Sequence, residues 1–213
     1  LTDKLTPEFV CEVLRIVTEG TLDDPGDAGR LQREGEARVR IYGTENEEQP
    51  LHVPPSASEL PERLARLCSF VNGDGEYATQ YVPPLVRALI VHFMMGYDHY
   101  FVDGNGRTAR VIAQWVMLRE GFFLMDFVPV SRLLHRTPAQ YARSFLAVEQ
   151  DEGDLTYFLI WHARIILRGI RELHDYLAKK SKELDQVKHR LRATTLTNRQ
   201  IGVIEEALRD PMM

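Results

Sequence analysis

The sequence predicts an all-α protein, a mainly helical bundle that carries one small β-hairpin. Three observations predict it: apolar side chains recur at helical spacing through most of the chain, only one stretch alternates as a strand does, and Pro and Gly pairs punctuate the segments. At 213 residues the chain can bury one substantial core with something left over.

Thr6 to Glu19 carries Phe9, Val13, Ile16 and Val17 on one helical face behind a Thr-Pro start. Residues 23–35, dense in Pro, Gly and Asp, read as a loop. Arg38 to Tyr42 then alternates around Val39 and Ile41, an acidic turn spans Thr44 to Pro50, and Leu51 to Val53 returns, which makes a hairpin over residues 38–53. Beyond Pro54-Pro55, the spacing of Leu60, Leu64, Leu67 and Val71 predicts a helix that Asn72-Gly73 stops. Pro83-Pro84 opens another, running through Leu85, Leu89, His92, Phe93 and Gly96. A helix from Arg107 to Arg119 follows a glycine-rich break and closes at Gly121. Ser131 to His135, Pro138 to Glu149 and a long segment capped by Asp154 complete the body.

In that long segment Ile166, Ile170, Leu173, Leu177, Leu184, Val187 and Leu191 fall at spacings of four, three, four, seven, three and four, a heptad-like stripe. The organisation expected is a domain over residues 1–178, followed at 179–213 by the end of the long helix and the start of a further module. The formal net charge is -5. Lys179 to Arg199 nevertheless holds seven Lys or Arg against two acidic residues, so a solvated helix face and a DNA footprint are both open there. No apolar run approaches the ~18 residues that span a bilayer. Cys11 and Cys68 read as small core residues in a reducing, cytoplasmic setting.

The chemistry concentrates in His99 to Arg110, HYFVDGNGRTAR. A loop of Gly104, Asn105 and Gly106 opening onto a helix presents free backbone N–H groups and the positive end of the helix dipole, an anion site suited to phosphate. Glycine lets the backbone approach phosphate oxygens. Arg107 and Arg110, three apart, supply guanidinium forks for a polyphosphate. Asp103 is placed to hold Mg²⁺ against the same phosphates, and His99 can take a proton near neutral pH. Base, metal ligand and phosphate cradle within twelve residues point to phosphoryl or nucleotidyl transfer. The Walker pattern is absent.

These residues resemble the Fic family signature of His, usually Pro-Phe, a variable residue, Asp or Glu, Gly-Asn-Gly-Arg, two variable residues and Arg. His99, Phe101, Asp103, Gly104, Asn105, Gly106, Arg107 and Arg110 match it, a coincidence with chance probability on the order of 10⁻⁸. Tyr100 departs from it, standing where the family usually has Pro.

The resemblance covers residues 1–178. It implies an all-helical core whose hairpin, with Val39, Arg40, Ile41 and Tyr42, docks a target segment by strand pairing. It also implies nucleotide binding by Gly104, Asn105, Gly106, Arg107, Thr108, Arg110 and Tyr141, with His99 as the base and Asp103 on Mg²⁺. The activity implied is transfer of AMP from ATP to a Ser, Thr or Tyr hydroxyl of a protein, releasing pyrophosphate. The C-terminal stretch is similar to Fic proteins with a winged-helix module, so a DNA-binding regulator with a Fic-like sensor body is the alternative. Family members often carry an inhibitory Ser/Thr-x-x-x-Glu-Gly/Asn helix whose Glu meets the second arginine, here Arg110. No Glu-Gly or Glu-Asn in this chain has Ser or Thr four positions earlier. The partners implied are a protein target, an inhibitory partner or an inhibitory helix upstream of Leu1, DNA through the C-terminal module, and a second copy in a homodimer.

Overall fold

The computed structural model describes residues 4–38, 41–42 and 50–209. Helix α1 (Pro7–Val17) begins where Thr6 Oγ1 accepts the Phe9 N–H, with Pro7 in the first turn, and buries Val10 and Leu14. Helix α2 (Leu60–Asn72) buries Leu60, Leu64, Leu67, Cys68 and Val71 and stops at Gly73, whose φ of 66° is a left-handed cap. Helices α3 (Pro84–Asp98) and α4 (Asn105–Arg119) are the most extensively packed pair. Small buried residues on both, Ala88, Ala109 and Ala113, let the two backbones approach. On its other sides α4 meets α1, and α2 meets α3. The central pair that carries the motif is thus clamped by the two earlier helices.

Helices α5 (Val130–His135), α6 (Pro138–Gln150) and α7 (Thr156–Arg192) follow, with Asp154 Oδ1 accepting the Thr156 N–H at 2.7 Å as α7 begins. Leu133, Leu134 and Ile165 pack together with Tyr141 and Trp161 around them. A last helix, α8, spans Asn198–Arg209. The chain divides into two compact units, residues 1–167 and 168–213, and α7 runs through the division. The change in sequence character comes later, near residue 178. Among the described residues no helix is long and apolar enough to cross a membrane.

Strands β1 (Ile41–Tyr42) and β2 (Pro50–His52) pair antiparallel, with Ile41 opposite His52. That pairing is all of the sheet among the described residues, so the flap expected over 38–53 is not seen as a whole. Val39, Arg40 and the turn at 43–49 lie outside the described residues. One further difference is local: α4 starts at Asn105, two residues before the helix expected from Arg107. Apolar periodicity begins only where the helix meets the core, whereas its first turn is made of motif residues.

Candidate active site

His99 is the hinge between α3 and the motif loop. It ends α3 in the left-handed region, φ 49° and ψ 63°, a conformation that costs an L-residue about 1–2 kcal/mol unless its surroundings impose it. The surroundings do. Arg38 donates to the carbonyls of Asp98 at 2.7 Å and His99 at 2.8 Å, and the Gln32 N–H donates to the Tyr100 carbonyl at 2.9 Å. Asn105 completes the turn from the other side: its Oδ1 accepts the Phe101 N–H at 2.9 Å and its Nδ2 donates to the Phe101 carbonyl at 2.7 Å.

Those two bonds to Phe101 allow only one orientation of the Asn105 amide, because reversing it would set oxygen against oxygen and N–H against N–H. Nδ2 therefore also faces His99 Nδ1, 3.1 Å away. It donates there, so neutral His99 carries its proton on Nε2 and its lone pair on Nδ1. Burial, reinforced by the charges of Arg38 and His52 and opposed by Asp103, pushes the His99 pKa down to about 4. The ring is neutral, and able to accept a proton, through the whole physiological range.

Gly104 makes the turn into α4 at φ 85°. A Cβ there would stand 2.5 Å from Thr18 Cγ2 and 2.8 Å from Leu14 Cδ1, so only glycine fits against the end of α1. The first-turn N–H groups of α4 have no partner within the helix and remain available to an anion.

The two motif arginines diverge. Arg107 donates to Asp103 Oδ2 at 2.9 Å, to Thr21 Oγ1 at 2.5 Å and to the Val17 carbonyl at 3.2 Å, which ties it to α1. Arg110 instead lies beside Tyr141 and His92, and among the described residues it has no carboxylate partner. Thr108, expected at the nucleotide, is fully buried and turns its hydroxyl back onto the Gly104 carbonyl at 3.0 Å, so it holds the first turn of α4. Asp103 accepts the Gly104 N–H at 2.5 Å through its other oxygen and stays largely exposed.

A cavity of about 230 Å³ is lined by His99, Asn105, Gly106, Tyr141, Phe145 and His52, together with Tyr97 and Glu149. Gly96 forms part of its wall because a Cβ there would meet Phe145 Cε1 at 2.7 Å. Phe145 stacks on Phe93 at 5.3 Å, giving the cavity a flat aromatic side. Tyr141 shares a hydrogen bond of 2.9 Å with His92 Nε2. The structure thus gathers His99, Asn105, Gly106 and Tyr141 on one space, while Arg107 and Thr108 face the fold.

The sequence matches the Fic/DOC family over residues 4–117. The chain belongs to this family. It is 28% identical over 162 residues to protein adenylyltransferase fic-1 of Caenorhabditis elegans, covering 76% of this chain and 27% of that protein. It is 32% identical over 141 residues to its counterpart in Caenorhabditis briggsae, covering 66% and 24%. Among solved structures, Fic-1 of C. elegans (residues 134–508) superposes with a TM-score of 0.60 at 27% identity, over 83% of this chain and 45% of that one. A Fic family protein from Desulfovibrio desulfuricans G20 superposes with a TM-score of 0.63 at 24% identity, over 80% and 47%, a likeness of fold. This chain spans about a quarter of the length of the curated relatives it matches.

Three residues at this Fic site carry no sequence signal. Arg38 reads as the start of a strand, His52 as a returning strand and Glu149 as a helix end. Each acts through a contact distant in sequence.

Proposed function

We propose that this Fic protein transfers AMP from ATP to a Ser, Thr or Tyr hydroxyl of a protein target. One observation carries the reading: the neutral His99, with its lone pair on Nδ1, shares a cavity with the glycine-rich start of α4. The α-phosphate would sit on the N–H groups of that first turn, and the Phe145 and Tyr141 side of the cavity suits a base and sugar. A hydroxyl brought to the His99 ring takes the place of the Asn105 N–H at Nδ1 and gives up its proton there as its oxygen attacks the α-phosphorus. The bond to pyrophosphate breaks, and Arg110, which lies against Tyr141 and has no carboxylate partner among the described residues, would hold the departing anion.

Asp103 is exposed and keeps lone pairs beyond its bonds to Gly104 and Arg107, which fits one carboxylate on Mg²⁺. No group of three or more His, Cys, Asp or Glu among the described residues could cage a metal alone, so substrate phosphates would complete the shell. Such an ion, when bound, screens charge on the phosphates. Strand addition to the hairpin would bring the target hydroxyl to the cavity.

The test is incubation of the purified chain and a cell lysate with ATP labelled at the α-phosphate. Label should appear on protein and fall about 10²- to 10⁴-fold with His99→Ala. Equal labelling by the variant, or transfer of label from the γ-phosphate instead, would exclude the proposal.

A further inference from the structure

We infer that His52 is a positioning residue: it pins the return strand of the hairpin to α3 and α6, two of the helices that wall the cavity, and so sets where an acceptor hydroxyl stands relative to His99. The anchoring stands on its own contacts; its consequence for the acceptor rests on the transfer reading above.

His52 is 7% exposed, and each of its ring nitrogens meets an acceptor. Nε2 lies 2.8 Å from the carbonyl of Tyr97, near the end of α3, and Nδ1 contacts Glu149 Oε1 in the last turn of α6. A carbonyl can only accept, so Nε2 donates to Tyr97, and Nδ1 is left facing the Glu149 carboxyl group. The ring also lies against that of Tyr97, 4.6 Å between centroids. Glu149 Oε2 is buried without a partner, so the Glu149 carboxylate depends on His52. Removing His52 leaves that charge uncompensated at the cavity wall.

One side chain from β2 therefore touches α3 two residues before His99 and α6 beside Phe145 and Leu146 of the cavity. β1 takes its place from β2, with Ile41 opposite His52. Among the described residues β1 has no other strand neighbour. A target strand added to this sheet would inherit its position from the His52 contacts. His52 also contributes to holding the His99 pKa down.

The experiment uses the full chain with His52→Ala, His52→Gln and Glu149→Ala, the last removing the partner without altering β2. Amide exchange across residues 50–53 is measured beside MgATP affinity by calorimetry and protein labelling from α-labelled ATP. In His52→Ala and Glu149→Ala, exchange at 50–53 should rise about tenfold. Labelling should fall about tenfold to a hundredfold, with MgATP affinity within about twofold of the parent. His52→Gln, which keeps an N–H for the Tyr97 carbonyl, should recover part of both. Unchanged exchange in the Ala variants overturns the anchor. MgATP affinity falling in step with labelling overturns the acceptor role, because His52 would then be supporting the nucleotide cavity. If the parent labels no protein, the transfer reading fails by itself, and exchange still decides the anchor.

Discussion

The Tyr100 hydroxyl donates to Asp98 Oδ2 at 2.6 Å, and both residues are buried. This bond accounts for the position at which the chain departs from the family signature. Burial pushes the Asp98 carboxyl up, and the Tyr100 hydroxyl and Arg63, 3.2 Å from Oδ1, work against that to keep it charged. Tyr100 thus braces the end of α3 through a side-chain bond one residue from His99. Tyr100→Phe should cost about 1–3 kcal/mol, the range for stranding a buried polar group, read as a shift in the urea midpoint. An unshifted midpoint would mean that Asp98 does not need the hydroxyl.

Gly104→Ala combines a positive φ with a Cβ inside contact distance of Thr18 and Leu14. The expected loss is about 2–4 kcal/mol, strain plus overpacking. Because the clash is with α1, chemical shifts of Leu14 and Thr18 should move with those of the motif loop. A stable variant with an undisturbed α1 would show that the loop can move aside.

Arg107 and Arg110 should separate experimentally. Arg107→Ala removes ties to Val17, Thr21 and Asp103, so its thermal midpoint falls by a few degrees, for a loss of about 1 kcal/mol. Arg110→Ala should leave the midpoint within about 1 °C, since it breaks no ion pair among the described residues, while MgATP affinity drops about tenfold or more. Interchanged effects would reverse the roles assigned to the two side chains.

With its pKa pushed down to about 4, His99 should leave kcat/KM for transfer level from pH 7 to pH 5. An acid limb should follow near pH 4, since this parameter reports groups of the free enzyme. A limb centred near 6.5 would mean that His99 is more solvated than its burial indicates.

Stability should also fall with acidity. Burial lowers His99 and His162 to about 4 and holds His92 well below its ordinary value. Their folded values are depressed, so their contribution is complete above pH 6.5, where neither state is protonated. As the pH falls below 6.5 the unfolded chain binds protons that the folded one refuses, and stability is lost towards pH 4. Urea midpoints at pH 7, 6 and 5 measure the slope. His162→Phe should flatten it; an unchanged slope would mean that His162 is not protonated on unfolding in that window.

The helices and the motif were legible in the sequence because each is written locally. Thr6 caps α1, Gly73 ends α2 and Pro84 opens α3 through interactions within a few residues. The chemistry of His99 to Arg110 lies in one contiguous run, and its match to the family needed no coordinates. His92 and His162 are buried on α3 and α7, and the bond that joins His92 to Tyr141 spans α3 and α6. Arg38, His52 and Glu149 were invisible for the same reason: their partners are brought to them by packing.

The sequence by itself determined the element order and the glycine turn that opens α4, because periodicity, caps and the requirement for glycine are properties of neighbouring residues. Tertiary structure alone decided which nitrogen of His99 faces Asn105, how far its pKa falls, that Arg107 is tied to α1 while Arg110 lies against Tyr141 with no carboxylate partner among the described residues, and that Tyr100 replaces a rigid residue with a hydrogen bond. Those outcomes depend on desolvation and on the direction of bonds from distant segments, which exist only once the chain has packed.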